Sequence, residues 1–232
     1  MATCKTIPSR TPLDASSMYM RALPEALPAL SSPAGKRLFA EALADGGMAG
    51  YFRLAQQFHT QADPAYCGLG SLVCALNALG IDPARSWKGP WRWFTEEMLD
   101  CCKPLDDVKH SGLTLEEVAC LARCAGADVS VHTAAPAAQQ AFREHLRGSA
   151  FAEDGPVLLV NYSRRALEQT GDGHFSPIAG YHAGEDRALV LDTARFKYPP
   201  HWVPVERLFG AMQAADPATG AARGWLLLRA PG

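Results

Sequence analysis

Cys67 opens the run CGLGSLVCALNAL, in which nearly every position is apolar, and Gln61 lies six residues ahead of it. A cysteine in the first turn of a helix sits where unpaired backbone N–H groups and the helix dipole favour an anion, so its thiol is expected to ionise readily. The thiolate is a nucleophile for an acyl carbon. Gln61 can donate a side-chain N–H to the oxyanion that such an attack creates, beside the backbone N–H of Cys67. Taken alone, a cysteine at a helix start is more often an inert buried thiol. Two further residues tip the balance. His174 follows a Gly-Asp-Gly turn and opens an apolar strand, and Asp192 ends the next strand, 18 residues on. Neighbouring antiparallel strands of that length bring such positions together. The roles follow: Cys67 attacks, His174 exchanges the proton, and Asp192 fixes the tautomer of His174. His59, His110, His132, His145, His182 and His201 follow no comparable turn and read as ordinary core or surface histidines.

The elements that must hold these groups are legible from periodicity. Residues 34–46 read as a short helix ended by Gly46-Gly47, and Tyr51 to Gln61 as an extended stretch. The run from Cys67 to Leu79 reads as a central buried helix stopped at Gly80, with Asp82-Pro83 preventing its continuation. Thr114 and Glu117 match a capping box for a helix over 114–125, with Leu115, Val118, Ala119 and Ala122 on its apolar face. A third helix is expected over 136–147. Later segments are short and apolar: PVLLVNY (156–162), FSPIAGYH (175–182), ALVLD (188–192) and WLLLR (225–229), with Gly/Asp turns between several of them. That is the pattern of hairpin-linked antiparallel strands. Helices first and strands second predict an α+β fold, with a helical lobe over about 18–150 packed on a curled antiparallel sheet over about 151–232. Residues 1–17 are polar, without apolar periodicity, and read as a loose tail.

Composition narrows the classes. The 232 residues are 48% hydrophobic and 20% charged, ordinary values for a globular chain of one sizeable domain or two small ones. The 22 Lys+Arg against 24 Asp+Glu leave a net charge of -2, so no basic field marks a nucleic-acid partner. No apolar run approaches the ~18 residues of a membrane span. Seven cysteines (Cys4, Cys67, Cys74, Cys101, Cys102, Cys120 and Cys124), odd in number and irregularly spaced, argue against a disulfide framework. With no signal peptide, they suggest a reducing, cytoplasmic setting.

The order Cys…His…Asp, with a Gln six residues ahead of the Cys, resembles the papain-like cysteine peptidase fold. Longer strings are more specific. TQADPAYCGLGSL (60–72), IDPARSWKGPWRWF (81–94), MLDCCKPL (98–105), QTGDGHFSPIAGYH (169–182) and LDTARFKYPPHWVP (191–204) resemble the catalytic domain of phytochelatin synthases, a likeness that covers roughly residues 18–229. The resemblance implies glutathione as substrate, with Cys67, His174 and Asp192 as the catalytic groups and Gln61 at the oxyanion. It implies a ping-pong transfer. Glycine leaves, a γ-Glu-Cys thioester stays on Cys67, and a second glutathione or a phytochelatin accepts it. A glutathione-hydrolysing peptidase is the rival within the same fold, and a thiol protein that buffers metal without turnover is the rival outside it. The resemblance admits a homodimer.

Glutathione carries two carboxylates, which call for fixed cations. Arg195 and Lys197 lie just past Asp192 in ARFKYPP, with Tyr198 next to them, and the resemblance adds Arg164. These four are the expected substrate-binding residues. Cys120 and Cys124 share a helix face, and Cys101-Cys102 could lie near them. The four together would make a soft, thiolate-rich site for Cd, Zn or Cu(I), although the spacing reads equally as buried thiols. No organic cofactor is implied. Cd or Zn enters as activator, with a metal bis-glutathionate as the simpler form of acceptor substrate. Trp87, Trp91, Trp93 and Phe94 read as core or lobe packing rather than a ligand platform.

Overall fold

The computed structural model describes residues 20–232; the expected tail over 1–17 lies outside the described residues. Among the described residues, seven α-helices and six strands follow in the order α1 (Pro33–Ala44), α2 (Tyr51–Gln57), α3 (Cys67–Ala78), α4 (Leu105–Ser111), α5 (Leu115–Cys124), β1 (Asp128–Thr133), α6 (Gln139–Ala150), β2 (Val157–Ser163), β3 (Gly173–His182), β4 (Arg187–Val190), β5 (His201–Pro204), α7 (Val205–Gln213) and β6 (Gly224–Arg229). The strands form one sheet, antiparallel throughout, in the order β1-β6-β2-β3-β4-β5. The α+β class and the antiparallel sheet are as the sequence predicts.

Strand β2 explains the layering. Its side chains alternate, Val157 and Leu159 to one core, Leu158, Val160 and Tyr162 to the other, and all are buried. Helices α1, α2, α3 and α5 supply the first core. The second is closed by α6 and α7, so helices cover both faces of the sheet. Helix α3 lies at the centre of the first core, with nine of its twelve residues buried. That matches its apolar run, which leaves no polar face. The capping box of α5 forms as predicted: Thr114 Oγ1 accepts from the Glu117 N–H, and the Glu117 carboxylate accepts from the Thr114 N–H.

Four features depart from expectation. The stretch from Tyr51 is helical to Gln57 before it extends, because Leu54 packs into the core beside α3 and the Cys74 thiol donates to its carbonyl. Strand β1 lies in the part expected to be helical, with Val129 and Val131 against the first core. Helix α7 lies in the part expected to be sheet. Its apolar Val205, Leu208, Phe209 and Met212 keep helical spacing, a signal present in the sequence. The tryptophans Trp87, Trp91 and Trp93 are exposed and only Phe94 is buried, so this run does not pack the core as expected.

Among the described residues, no helix is long and apolar enough to cross a membrane.

Candidate active site

Cys67 is the first residue of α3, reached through the loop 59–66. The register of β2 and β3 pairs Tyr162 with His174. Just past β4, Leu191 still bonds to Pro177, which delivers Asp192 to the same end of the sheet. His174 Nε2 and Asp192 Oδ1 are 2.8 Å apart. With Nε2 so engaged, Nδ1 is left for the thiol of Cys67, which lines the same cavity. The three expected groups therefore come together in one row.

Electrostatics favours the charged pair. Burial pushes the Cys67 thiol up, but the nearby His174, its hydrogen bond, the Phe175 backbone N–H and the charge of Arg164 outweigh burial and lower it. Burial and Arg164 push His174 down, while Asp192 and Cys67 pull it up, and the net shift is upward. Asp192 is fully buried, yet His174 and Arg164 hold its carboxyl far below the usual range. A lowered thiol beside a raised imidazole shifts the balance towards a thiolate–imidazolium pair. Cys74, seven residues along the same helix, is the contrast: burial alone pushes it up to about 12.

Gln61 is buried and gripped from two sides. Its backbone N–H donates to the Thr193 carbonyl (3.0 Å), and its Oε1 accepts from Thr193 Oγ1 (3.1 Å). Its Nε2 donates to the carbonyls of Asp63 (2.8 Å) and Pro64 (3.0 Å), so in this state its donors face its own loop. Glu96 braces the loop from behind by accepting the Ala62 N–H at 2.8 Å. Gly70, one turn beyond Cys67, makes the room: a Cβ there would stand 2.8 Å from Glu96 Oε1 and 3.1 Å from Gln61 Cβ.

A cavity of about 450 Å³ opens beside Cys67 and His174. Lys197, Arg223, Asp172, Asp216 and Asn161 contribute to its wall. Asn161 Oδ1 is buried without a hydrogen-bond partner among the described residues. Of the expected substrate cations, only Lys197 reaches this cavity unengaged by an ion pair among the described residues. Its Nζ stands 3.0 Å from where a Gly171 Cβ would be, and Gly171 has φ +96°, which suits only glycine. Arg164 also borders the cavity, but its guanidinium is turned onto Asp192: Nη2 donates to Oδ1 at 2.9 Å, and Nη1 lies 2.7 Å from Oδ2. Arg195 is exposed, its guanidinium 5.0 Å over the Phe58 ring and off the cavity wall. Tyr198 is buried beneath Arg164, and its hydroxyl accepts from the Thr170 N–H at 2.8 Å. Arg195 and Tyr198 are thus corrected as cavity residues. Sequence reading missed Asn161 and Arg223. A lone polar residue inside PVLLVNY was the available signal for the first; nothing local marks the second.

The four clustered cysteines do meet, but not as free thiols. Cys101 is paired with Cys124 and Cys102 with Cys120, across Cα separations of 6.8 and 6.2 Å. The expectation against disulfides is corrected. Adjacent residues on one side and an i, i+4 pair on α5 present two sulfurs to two. The sulfurs of Cys101, Cys102 and Cys124 all lie within 4.8 Å of one another.

A thiol on a helix N-terminus, an imidazole and a carboxylate on an antiparallel sheet, and a polar cavity at the thiol together define the candidate site of an α+β chain. The sequence model of the phytochelatin synthase family matches residues 18–225, and the chain belongs to that family. It is 54% identical to glutathione gamma-glutamylcysteinyltransferase 1 of Triticum aestivum over 93% of this chain and 43% of that protein. It is 51% identical to glutathione gamma-glutamylcysteinyltransferase 3 of Lotus japonicus over 91% of this chain and 44% of that protein. The chain spans about half the length of the curated relatives it matches. Among solved structures, a double glycine motif protease from an AMS/PCAT transporter aligns with a TM-score of 0.46 at 14% identity, covering 75% of this chain and 91% of that one.

Proposed function

We propose that this chain is a γ-glutamylcysteine transferase that acts on glutathione through a Cys67 thioester. The observation that carries this reading is the half-buried Cys67 beside the buried His174–Asp192 pair at a cavity with charges of both signs. Glutathione has two carboxylates and one ammonium. Lys197 supplies a cation, Asp216 supplies an anion, and the unpartnered Asn161 Oδ1 suits an N–H donor of the substrate, while Arg223 is held by Asp172 and the Ala214 and Ala215 carbonyls.

The Cys67 thiolate attacks the carbonyl carbon of the Cys–Gly bond. The backbone N–H of Cys67, with one Gln61 N–H turned from its loop, steadies the oxyanion. The imidazolium of His174 then gives its proton to the departing glycine nitrogen as the C–N bond breaks, and a γ-Glu-Cys thioester remains. The α-amine of a second glutathione, or of a phytochelatin, attacks that thioester. Neutral His174 takes the proton, and the Cys67 thiolate leaves. Asp192 holds the ring throughout.

Metal enters this reading in two ways. A Cd or Zn bis-glutathionate serves as acceptor and is substrate rather than a resident ion. Separately, Cys101, Cys102, Cys120 and Cys124, once reduced, give a soft donor set suited to Cd or Zn; as paired in this structure their sulfurs are engaged with one another. A cytoplasmic setting and a homodimer belong to the same reading.

Incubation of the purified protein with glutathione, with and without Cd, followed by mass spectrometry of the products, tests it. The expected products are γ-Glu-Cys-γ-Glu-Cys-Gly and longer homologues, formed with Cd and absent from Cys67→Ser. Only γ-Glu-Cys and glycine would mark a hydrolase with the same nucleophile. Turnover retained in Cys67→Ser would overturn the assignment.

A further inference from the structure

His201 takes no part in the chemistry above, yet it is fully buried at the start of β5. Its Nδ1 lies 2.8 Å from the Pro199 carbonyl. A carbonyl oxygen only accepts, so Nδ1 carries the proton. Burial lowers the imidazole's affinity for a second proton and outweighs the pull of Asp192. Nε2 is therefore a lone-pair acceptor, and it sits 3.0 Å from Gln169 Nε2. The Gln169 amide must donate there, which turns its Oε1 the other way. Oε1 accepts from Arg164 Nη1 at 2.8 Å.

Arg164 passes this order on. Its Nη2 bonds Asp192 Oδ1, which also receives His174 Nε2 and the Ala194 N–H. The row runs Pro199 carbonyl, His201, Gln169, Arg164, Asp192, His174, Cys67. None of its residues from His201 to His174 is more than 4% exposed, so water does not substitute for a lost partner. Only one direction of donors satisfies it. A reversed Gln169 amide would aim N–H groups at a guanidinium and an oxygen at a lone pair. The charged groups that bear on His201 are Asp192, Arg164 and His174, all members of the same row.

We propose that His201 and Gln169 are positioning residues that set the Arg164 guanidinium, and through it the Asp192–His174 pair that serves Cys67. The proposal rests on the reading of Cys67, His174 and Asp192 as the transfer groups.

Two measurements test it. The first is nitrogen-15 NMR of the histidine side chains in the wild-type protein. His201 is expected to show a protonated Nδ1 and a bare Nε2 at neutral pH. The opposite tautomer, or a doubly protonated ring, would overturn the row. The second compares Gln169→Met, His201→Phe and Gln169→Glu. Loss of a hydrogen bond to a charged group corresponds to roughly ten- to a hundredfold in rate if it is felt at the transition state. Gln169→Met and His201→Phe are expected to lower kcat by about that much with KM little changed, and to raise the pH at which iodoacetamide alkylates Cys67. Gln169→Glu keeps an acceptor for Arg164 but sets an oxygen against the bare His201 Nε2, so it is expected to recover only part of the kcat lost in Gln169→Met. Variants that melt earlier yet keep kcat and the Cys67 alkylation profile would show packing alone and refute the proposal; if a variant does not fold, the tautomer decides. Alkylation and NMR use no glutathione. A wild-type protein that fails to turn over glutathione therefore strikes the transfer reading and not this one.

Discussion

Replacing Asp192 with Asn exchanges one carboxylate oxygen for an amide nitrogen and tests the electrostatic core of the site. The carboxylate is fully buried and faces a buried guanidinium and a buried imidazole. Removing one partner of a buried ion pair leaves the other uncompensated, at a cost of about 3–5 kcal/mol. The amide is nearly isosteric with the carboxylate, so little of that cost is packing. The pH dependence is sharper than the magnitude. The folded carboxyl titrates far below its ordinary range, held there by His174 and Arg164 against burial. A depressed carboxyl contributes stability that is full above the unfolded pKa and fades as pH falls towards the folded one. With an unfolded value of about 3.9, the wild type should lose about 1.3 kcal/mol of its advantage over the variant between pH 5.5 and pH 3. His174 is raised, so its own contribution is full below about 6.5 and constant over that window. Equilibrium urea unfolding of both proteins at the two pH values measures the difference. A gap under about 1 kcal/mol at pH 5.5, or one that does not narrow by pH 3, would refute the account of a buried, charged Asp192.

Other perturbations probe neighbouring parts of the site. Iodoacetamide with site-resolved mass spectrometry should label Cys67 well below the pH of an ordinary thiol and leave Cys74, pushed up to about 12, unlabelled; equal labelling would contradict their opposite environments. Activity should rise with pH as Cys67 ionises and fall again at a pH above the ordinary histidine value, as His174 loses its proton; a basic limb at or below the ordinary value would contradict the raised imidazole. Thr193→Val removes the hydroxyl that holds Gln61 and should lower kcat about tenfold, with no further loss when combined with Gln61→Ala; additive losses would show that Thr193 does not act through Gln61. Reduced protein should show a thiolate-to-Cd charge-transfer band that Cys120→Ser and Cys124→Ser diminish, and an unchanged band would remove these cysteines from the metal site.

What the sequence disclosed and what it hid divide along a physical line. Cys67 at a helix start, His174 after a tight turn and Asp192 at a strand end were legible because each rests on local chain geometry. The capping box of α5 and the fully apolar α3 were legible for the same reason. Arg164, by contrast, was expected as a substrate cation on the resemblance alone, because its partner is not visible in the sequence. Its bond to Asp192 spans 28 residues, and that of Gln61 to Thr193 spans 132. Nothing local in ARFKYPP tells that Lys197 lines the cavity while Arg195 lies over Phe58. The same holds for His201, which is ordinary by every local criterion. Its meaning comes from a carbonyl on one side and an amide on the other, and both are set by tertiary packing.

That division bears on how substitutions in this chain should be read. A buried guanidinium with one carboxylate partner can stabilise the fold, orient a catalytic pair, or do both, and loss of activity alone does not separate these roles. Arg164 is held by Gln169 behind it as well as by Asp192 before it. Arg164→Lys keeps the charge but has neither the planar fork nor enough fixed donors for both partners. Arg164 itself lowers Cys67 through its charge, which Lys retains, so any rise in the alkylation pH of that variant reports lost alignment of His174 rather than lost charge. Orientation of Asp192 and His174 requires the fork, so kcat should still fall. A variant that keeps Cys67 alkylation near the wild-type pH but loses kcat would separate the two contributions of this one side chain. If alkylation and turnover fall together, charge and geometry at Arg164 act as one, and the two contributions are not separable.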